Sequence, residues 1–183
     1  MKKRKPKIIK DKKERGEWAE SVFAARAGEN GLPVSKPIGD SRSFDCVVGL
    51  PGKFVAVQVK CTVAELESGK GYVCSVCSSH KVYRAGAFDF LAAYVIPEDA
   101  WYIVPAKLIR GLGSVCLCTT SSEAKYEGYR EAWHLLWEAS GSGEAAEGAV
   151  SEPEETAMSP GLARMHRAIN SFRLQLEKSG RAR

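Results

Sequence analysis

The segment SFDCVVGLPGKFVAVQVK, residues 43–60, has the pattern of two β-strands joined by a Pro-Gly turn. One face of the second strand begins apolar and ends polar, in the order Phe54, Ala56, Gln58, Lys60, and the other face is all valine. A strand that is apolar on both faces is buried on both faces. Gln58 and Lys60 are therefore expected where polar side chains need partners.

Asp45 lies thirteen residues before Gln58 and would sit beside it across the hairpin. A carboxylate, an amide carbonyl and an amine would then converge at one end of a sheet, and oxygen ligands of this kind suit Mg²⁺. A lysine beside such an ion can orient the attacking water or neutralise charge on a phosphate. The preceding helix offers two further carboxylates, Glu17 and Glu20. The same spacing also fits an edge strand with a hydrogen-bonded glutamine and a lysine that extends into solvent, so both interpretations stay open at this point.

The other elements are predicted from hydrophobic periodicity and turn residues. A helix is expected over residues 15–31, with Trp18, Val22 and Ala25 on one stripe and Phe23 as a further candidate, followed by an extended segment over 32–42. More strands are expected at 71–79, 87–96, 100–105 and 114–120, a short helix at 105–112 and an amphipathic helix at 121–140. A helix, then mostly antiparallel strands, then helices indicate an α+β fold.

Four segments are predicted along the chain. Residues 1–13 are a basic disordered arm, residues 14–140 the folded domain, residues 141–160 a flexible acidic linker and residues 161–183 a basic helical segment. Nine Lys or Arg residues stand against two acids in the first fifteen, which suits a polyanion such as nucleic acid but also a solvated tail. The C-terminal segment has apolar residues at helical spacing, which leaves a homo-oligomer open.

The chain has no apolar run of the roughly 20 residues that span a bilayer, and its N-terminus lacks the apolar core of a signal peptide. We therefore expect a cytoplasmic protein without membrane association. In a reducing compartment its six cysteines are expected as thiols. The pairs Cys74 with Cys77 and Cys116 with Cys118 lie in strand-like runs, which favours core packing over a zinc site.

Four short motifs, in order along the chain, carry a resemblance to a known family. They are Arg15-Gly16-Glu17 with Glu20, Pro37-Ile38-Gly39-Asp40, Phe44-Asp45 and Val57-Gln58-Val59-Lys60. With the later segments at 83–109 and 129–136, they resemble the PD-(D/E)XK nuclease superfamily, in the branch with a Q-x-K variant that includes homing-type endonucleases of bacteria. The resemblance covers most of residues 14–138.

The resemblance implies a restriction-endonuclease-like α/β/α fold, with a mixed β-sheet flanked by helices. It also implies phosphodiester hydrolysis at a Mg²⁺ site, with Mn²⁺ as a substitute. Asp45 would be the central metal ligand, Gln58 a neutral carbonyl ligand in place of the usual acid, and Lys60 would position the nucleophilic water. Glu20 would be the helix carboxylate, because it matches the family's second acid better than Glu17 one turn earlier.

We therefore predict a Mg²⁺-dependent DNA endonuclease. Arg42, Lys81 and Arg84 are candidate DNA contacts near the site. Two alternatives stand beside this prediction: a catalytically inactive DNA-binding module of the same fold, and a zinc-stabilised scaffold protein. The fold by itself does not decide among them.

Overall fold

The computed structural model of the chain describes residues 9–39, 42–50, 53–78 and 81–141. Two α-helices run through these residues, α1 (Lys12–Glu29) and α2 (His134–Ser140). The described strands are β1 (Val34–Ser35), β2 (Cys46–Leu50), β3 (Lys53–Thr62), β4 (Tyr72–Ser75), β5 (Cys77–Ser78), β6 (Lys81–Val82), β7 (Phe90–Val95), β8 (Ala100–Pro105) and β9 (Ser114–Leu117).

Five strands form one sheet in the order β1-β2-β3-β7-β8. The central neighbours β3 and β7 are parallel and align Val57 with Phe90, whereas the other neighbouring pairs are antiparallel. A parallel pair needs a crossover, which residues 63–89 supply. The predicted hairpin of β2 and β3 and the predicted mixed sheet with flanking helices are both confirmed.

The prediction that β3 is buried on both faces holds only in part, because its three valines and Gln58 are buried but Phe54 is 51% exposed and Lys60 is partly exposed. Its three valines pack in one hydrophobic cluster with Phe23 of α1 and Leu136 of α2. Ala56, on the other face, packs against a second cluster that contains Tyr72 and Leu117 of the small β4–β9 sheet. The sheet is thus covered on one side by helices and on the other by the crossover segment.

Helix α1 begins where Asp11 accepts a hydrogen bond from the backbone N–H of Glu14 at 2.8 Å, a side-chain cap. The helix buries Ala19, Phe23 and Ala27, which recur every four residues on one face. The predicted stripe is corrected accordingly: Trp18 and Val22 are partly buried against the same core, but Ala25 is exposed.

The predicted helix over 121–140 is wrong for most of its length. Residues 127–129 form a single 3₁₀ turn, and the α-helix begins only at His134. Between them Glu131 has a φ of 50°, donates its backbone N–H to the Trp101 carbonyl at 2.8 Å, and accepts the Trp101 N–H on its side chain at 2.7 Å. Pairing with β8 overrides the helical periodicity of this segment.

Two shorter predictions also need correction. The expected helix at 105–112 is a single 3₁₀ turn, Ala106–Leu108. The expected strand at 71–79 divides into β4 and β5, which pair with β9 and β6 in two separate two-stranded sheets. Both segments border the second hydrophobic cluster, where packing determines the backbone path.

The predicted segment boundaries stay predictions. Helix α1 begins at Lys12, so the last residues of the predicted arm are helical. By its contacts the chain divides into two compact units, Met1–Ala145 and Ala146–Arg183. The acidic linker beyond Gly141 and the C-terminal segment lie outside the described residues. None of the described helices is both long and apolar enough to cross a membrane.

Candidate active site

The site is built where β3 extends beyond β2. Strand β2 begins at Cys46, opposite Val57, so β3 continues past this point with no strand on that edge. Asp45 pairs with this part of β3 instead. Its backbone N–H donates to the Val57 carbonyl at 3.0 Å, and its carboxylate Oδ2 accepts the Val59 N–H at 2.7 Å. The carboxylate thus takes the next hydrogen bond of the ladder, which fixes its position at the end of the sheet.

Gln58 contacts Asp45 directly. Its side chain is 5 % exposed, and its Nε2 donates to Asp45 Oδ2 and to the Val59 carbonyl, the latter at 3.3 Å. Among the residues that the structure describes, none donates a hydrogen bond to Gln58 Oε1 or to Asp45 Oδ1. One amide oxygen and one carboxylate oxygen therefore remain available as ligands for a cation.

Glu20, rather than Glu17, lies close to this pair. The Glu17 side chain is 65 % exposed and lies 3.9 Å from Lys13, whereas that of Glu20 is 29 % exposed and accepts a hydrogen bond from Lys36 Nζ at 3.0 Å. Burial raises the pKa of Asp45, and the negative charge of Glu20 raises it further. The charge of Glu20 thus acts on Asp45, so both carboxylates lie toward this end of the sheet.

Lys60 lies two residues after Gln58 on the same face of β3 and is half-buried. Its Nζ is 5.6 Å from the centre of the Tyr83 ring, a cation–π contact. Its positive charge opposes the rise in the pKa of Asp45, as does the Val59 N–H. The ammonium group therefore lies in the same electrostatic neighbourhood as the two carboxylates.

The structure ties the predicted DNA contacts to the site less closely than the residues described above. Arg42, Lys81 and Arg84 are all exposed, and none of them makes an ion pair with a residue in the described part of the chain. Arg84 follows Tyr83 directly, and Arg42 lies three residues before Asp45. Asp40, the last residue of the predicted Pro37–Asp40 motif, lies outside the described residues.

Sequence reasoning missed two residues near the site. Lys36 donates a hydrogen bond to Glu20, although sixteen residues separate them along the chain. Tyr83, which lies within the crossover segment, contacts Lys60. Neither belongs to a local pattern, so no signal in the chain could have linked them to the site. Asp89 behaves as a turn residue, as its position at the start of a strand indicates, because its Oδ2 accepts the Ala56 N–H at 2.8 Å.

The donor set fits a hard divalent cation. Asp45 and Glu20 supply carboxylate oxygens, Gln58 supplies an amide oxygen, and Mg²⁺ prefers ligands of this type with water in the remaining positions. Burial is the main cause of the raised pKa of Asp45 and the charge of Glu20 a further one, and a cation bound here would favour the ionised form. No three His, Cys, Asp or Glu side chains within the described residues gather into a metal-binding group.

The cysteines form no comparable site. All six lie in the described residues as free thiols. Burial raises the pKa of Cys46 and of Cys74 to about 12, which disfavours the thiolate that zinc requires. Cys74 and Cys77 belong to different sheets. Of the four paired cysteines only Cys74 is buried, whereas Cys116 is exposed and Cys77 and Cys118 are partly exposed, so the expected role in core packing holds for Cys74 alone.

A mixed sheet flanked by helices, with carboxylate, glutamine and lysine at one open end, defines a restriction-endonuclease-like hydrolase of phosphodiester bonds. The chain belongs to the PD-(D/E)XK endonuclease family, whose model matches residues 10–136. Nucleases of this family typically use a divalent metal ion.

One solved structure supports the assignment. The bacterial homing endonuclease I-Ssp6803I is 29% identical in sequence and superposes with a TM-score of 0.63. The match covers 76% of this chain and 100% of that one. No curated protein gives a significant match.

Proposed function

We propose that this chain is a Mg²⁺-dependent endonuclease that hydrolyses phosphodiester bonds in DNA. The observation that carries the proposal is the convergence of Asp45, Gln58, Lys60 and Glu20 at the open end of β3. The Asp45–Gln58 contact, the Asp45–Val59 hydrogen bond and the Glu20 effect on the pKa of Asp45 tie three elements to one place. The edge-strand alternative does not require the helix carboxylate to lie there.

Asp45, Glu20 and Gln58 would hold the metal ion. When bound, the ion supplies Lewis-acid polarisation of a phosphate oxygen and lowers the pKa of a bound water. The raised pKa of Asp45 means that the protein alone stabilises its ionised form poorly. A bound cation would stabilise that ionised form. The neutral Gln58 makes this site one charge less negative than a site with three acids.

Lys60 has two roles in the proposed reaction. Its ammonium group holds the attacking water in line with the scissile bond and neutralises charge on the phosphate oxygens in the transition state. The water oxygen forms a bond to phosphorus as the bond to the leaving oxygen breaks, the water releases one proton to solvent, and solvent supplies the proton that the leaving oxygen takes up. Tyr83 keeps the Lys60 side chain beside the ring and limits its motion.

DNA is the proposed substrate because the solved structure reported above is a homing endonuclease. The net charge of +5 and the unpaired cations Arg42, Lys81 and Arg84 suit a phosphate backbone. A homo-oligomer would allow both strands to be cut, and we propose a cytoplasmic, nucleic-acid-associated location. Mn²⁺ is proposed to replace Mg²⁺.

The test is cleavage of supercoiled plasmid by the purified full chain in Mg²⁺, Mn²⁺ or EDTA. Asp45→Ala and Lys60→Ala proteins, checked for folding by circular dichroism, are compared with Glu17→Ala, which removes a nearby carboxylate outside the proposed site. We expect metal-dependent nicking or linearisation by the wild type and Glu17→Ala, and none by the other two. Unchanged DNA binding with no cleavage by any protein would favour the inactive binding module, and stoichiometric zinc in the purified protein would favour the scaffold.

A further inference from the structure

A pocket of about 610 Å³ lies where β7 begins and β8 ends. Its volume falls within the range of about 300–1,000 Å³ that is usual for ligand sites. The pocket adjoins the proposed active site, because Tyr83 lines it and the Tyr83 ring is also the contact of Lys60. Asp89 lines it as well and is hydrogen-bonded to Ala56, two residues before Gln58 on β3.

Three cationic side chains line this pocket: Arg84, Lys107 and Arg110. All three are exposed, and none makes an ion pair with any residue in the described ranges. Two carboxylates, Asp89 and Glu138, also line the pocket, so its charged side chains leave one net positive charge. Unpaired guanidinium and ammonium groups at a concave site favour a ligand that carries phosphate.

The rest of the lining is apolar and partly aromatic. Phe88 and Ile109 line the pocket as buried core residues, whereas Phe90 is only partly buried and 37% of the Leu112 surface is exposed to solvent. A phosphate alone would leave Phe90 and Leu112 without a partner, and an apolar ligand would leave the three cations without one. A nucleotide satisfies both, since its base packs on aromatic and aliphatic groups while its phosphate pairs with the cations.

We propose that this pocket holds one nucleotide of the DNA strand, displaced from the duplex beside the scissile phosphate. The inference rests on the proposed function for its substrate and extends it to a preferred DNA structure. A base that stays stacked and paired cannot enter a concave pocket, so the nucleotide must be unpaired or swung out. Displacement is easiest where the base has no partner. The protein is therefore expected to prefer DNA that contains an unpaired nucleotide.

The experiment compares two duplexes of one sequence, one fully paired and one with a single bulged 2-aminopurine nucleotide. Binding of the full chain is measured by fluorescence anisotropy in EDTA, where no cleavage occurs, and 2-aminopurine emission reports the environment of the bulged base. Three variants are tested beside the wild type. The double variant Lys107→Ala with Arg110→Ala removes two pocket cations, and Lys70→Ala with Lys125→Ala removes the same charge at residues that do not line the pocket. Ala85→Trp fills the pocket and keeps every charge.

We expect the wild type to bind the bulged duplex about tenfold more tightly than the paired one, with a change in 2-aminopurine emission. Ala85→Trp and the pocket double variant should lose this preference, and the control double variant should keep it. Equal binding of the two duplexes by the wild type, or a preference that survives Ala85→Trp, would overturn the inference. Cleavage of the fully paired duplex by the wild type is measured separately in Mg²⁺. Cleavage without a binding preference for the bulged duplex would contradict the proposed pocket but not the proposed function. A binding preference without cleavage would contradict the proposed function but not the pocket.

Discussion

Lys36 Nζ and Glu20 Oε2 are 3.0 Å apart, so the carboxylate that α1 offers to the proposed site is paired with a lysine. Both side chains remain partly exposed, and ion pairs of this kind contribute at most about 1 kcal/mol. A metal ion bound by Glu20 would compete with the Lys36 ammonium for the same oxygen.

Lys36→Met is therefore expected to raise the affinity for Mn²⁺ by at most about fivefold, because it removes this competition. Isothermal titration calorimetry of the full chain measures the change. Lys13→Met is the matched control, since it breaks the exposed Lys13–Glu17 pair on the same helix. An unchanged or weaker affinity in Lys36→Met would show that Lys36 does not oppose the metal.

Glu20→Gln and Glu17→Gln distinguish the two helix carboxylates. Glu20 is paired within the site and affects the pKa of Asp45, whereas Glu17 is largely exposed. We expect Glu20→Gln to weaken Mn²⁺ binding at least roughly tenfold and to reduce plasmid cleavage in parallel. Glu17→Gln should change neither, and the reverse result would assign the metal to Glu17.

Asp45→Asn is expected to stabilise the metal-free protein at neutral pH. Burial and Glu20 raise the folded-state pKa of Asp45 above its ordinary value of 3.8, so protonated Asp45 favours the fold below that value. As the pH rises through the folded-state pKa, Asp45 ionises and the wild type loses this stabilisation. The variant keeps it, because asparagine stays neutral. Asparagine can still accept the Val59 N–H through Oδ1.

Thermal denaturation in EDTA across a pH series measures this effect. The melting temperature of Asp45→Asn should exceed that of the wild type by a few degrees at neutral pH, and the difference should shrink below pH 4. Mg²⁺ should raise the melting temperature of the wild type and leave that of the variant unchanged. A variant that is less stable than the wild type at every pH would refute the interpretation of the raised pKa.

Gln58→Glu would place a third carboxylate at the site. Gln58 is nearly fully buried beside Asp45, so the added charge should destabilise the metal-free protein by about 3 kcal/mol. It should also strengthen Mn²⁺ binding at least about tenfold, since a further anionic ligand attracts the cation. Denaturant titrations with and without Mn²⁺ test both effects, and Gln58→Met controls for the loss of the amide. Equal destabilisation by glutamate and methionine would mean that packing, rather than charge, determines the result.

The parts of the fold that local pattern determines were predictable. The alternation in β3 and its pairing with β2 depend on residues within a few positions, and both occur in the structure. The final helix was not predictable, because the paired backbone of Glu131 and Trp101 replaces the helical turn there. The periodicity of residues 121–140 reflects two separate packing contacts, with Tyr126 in one hydrophobic cluster and Trp133 in the other.

The sequence by itself determined the strand that carries Gln58 and Lys60, the carboxylate that precedes it and the helix that offers Glu17 and Glu20, because each follows from the spacing of neighbouring residues. Only the tertiary structure decided that the charge of Glu20 acts on Asp45, that Lys36 pairs with Glu20 and that Tyr83 contacts Lys60. These contacts join residues from different elements, and their distances depend on how α1 and the crossover pack on the sheet. Packing of that kind is a property of the whole domain, so no short segment of the chain encodes it.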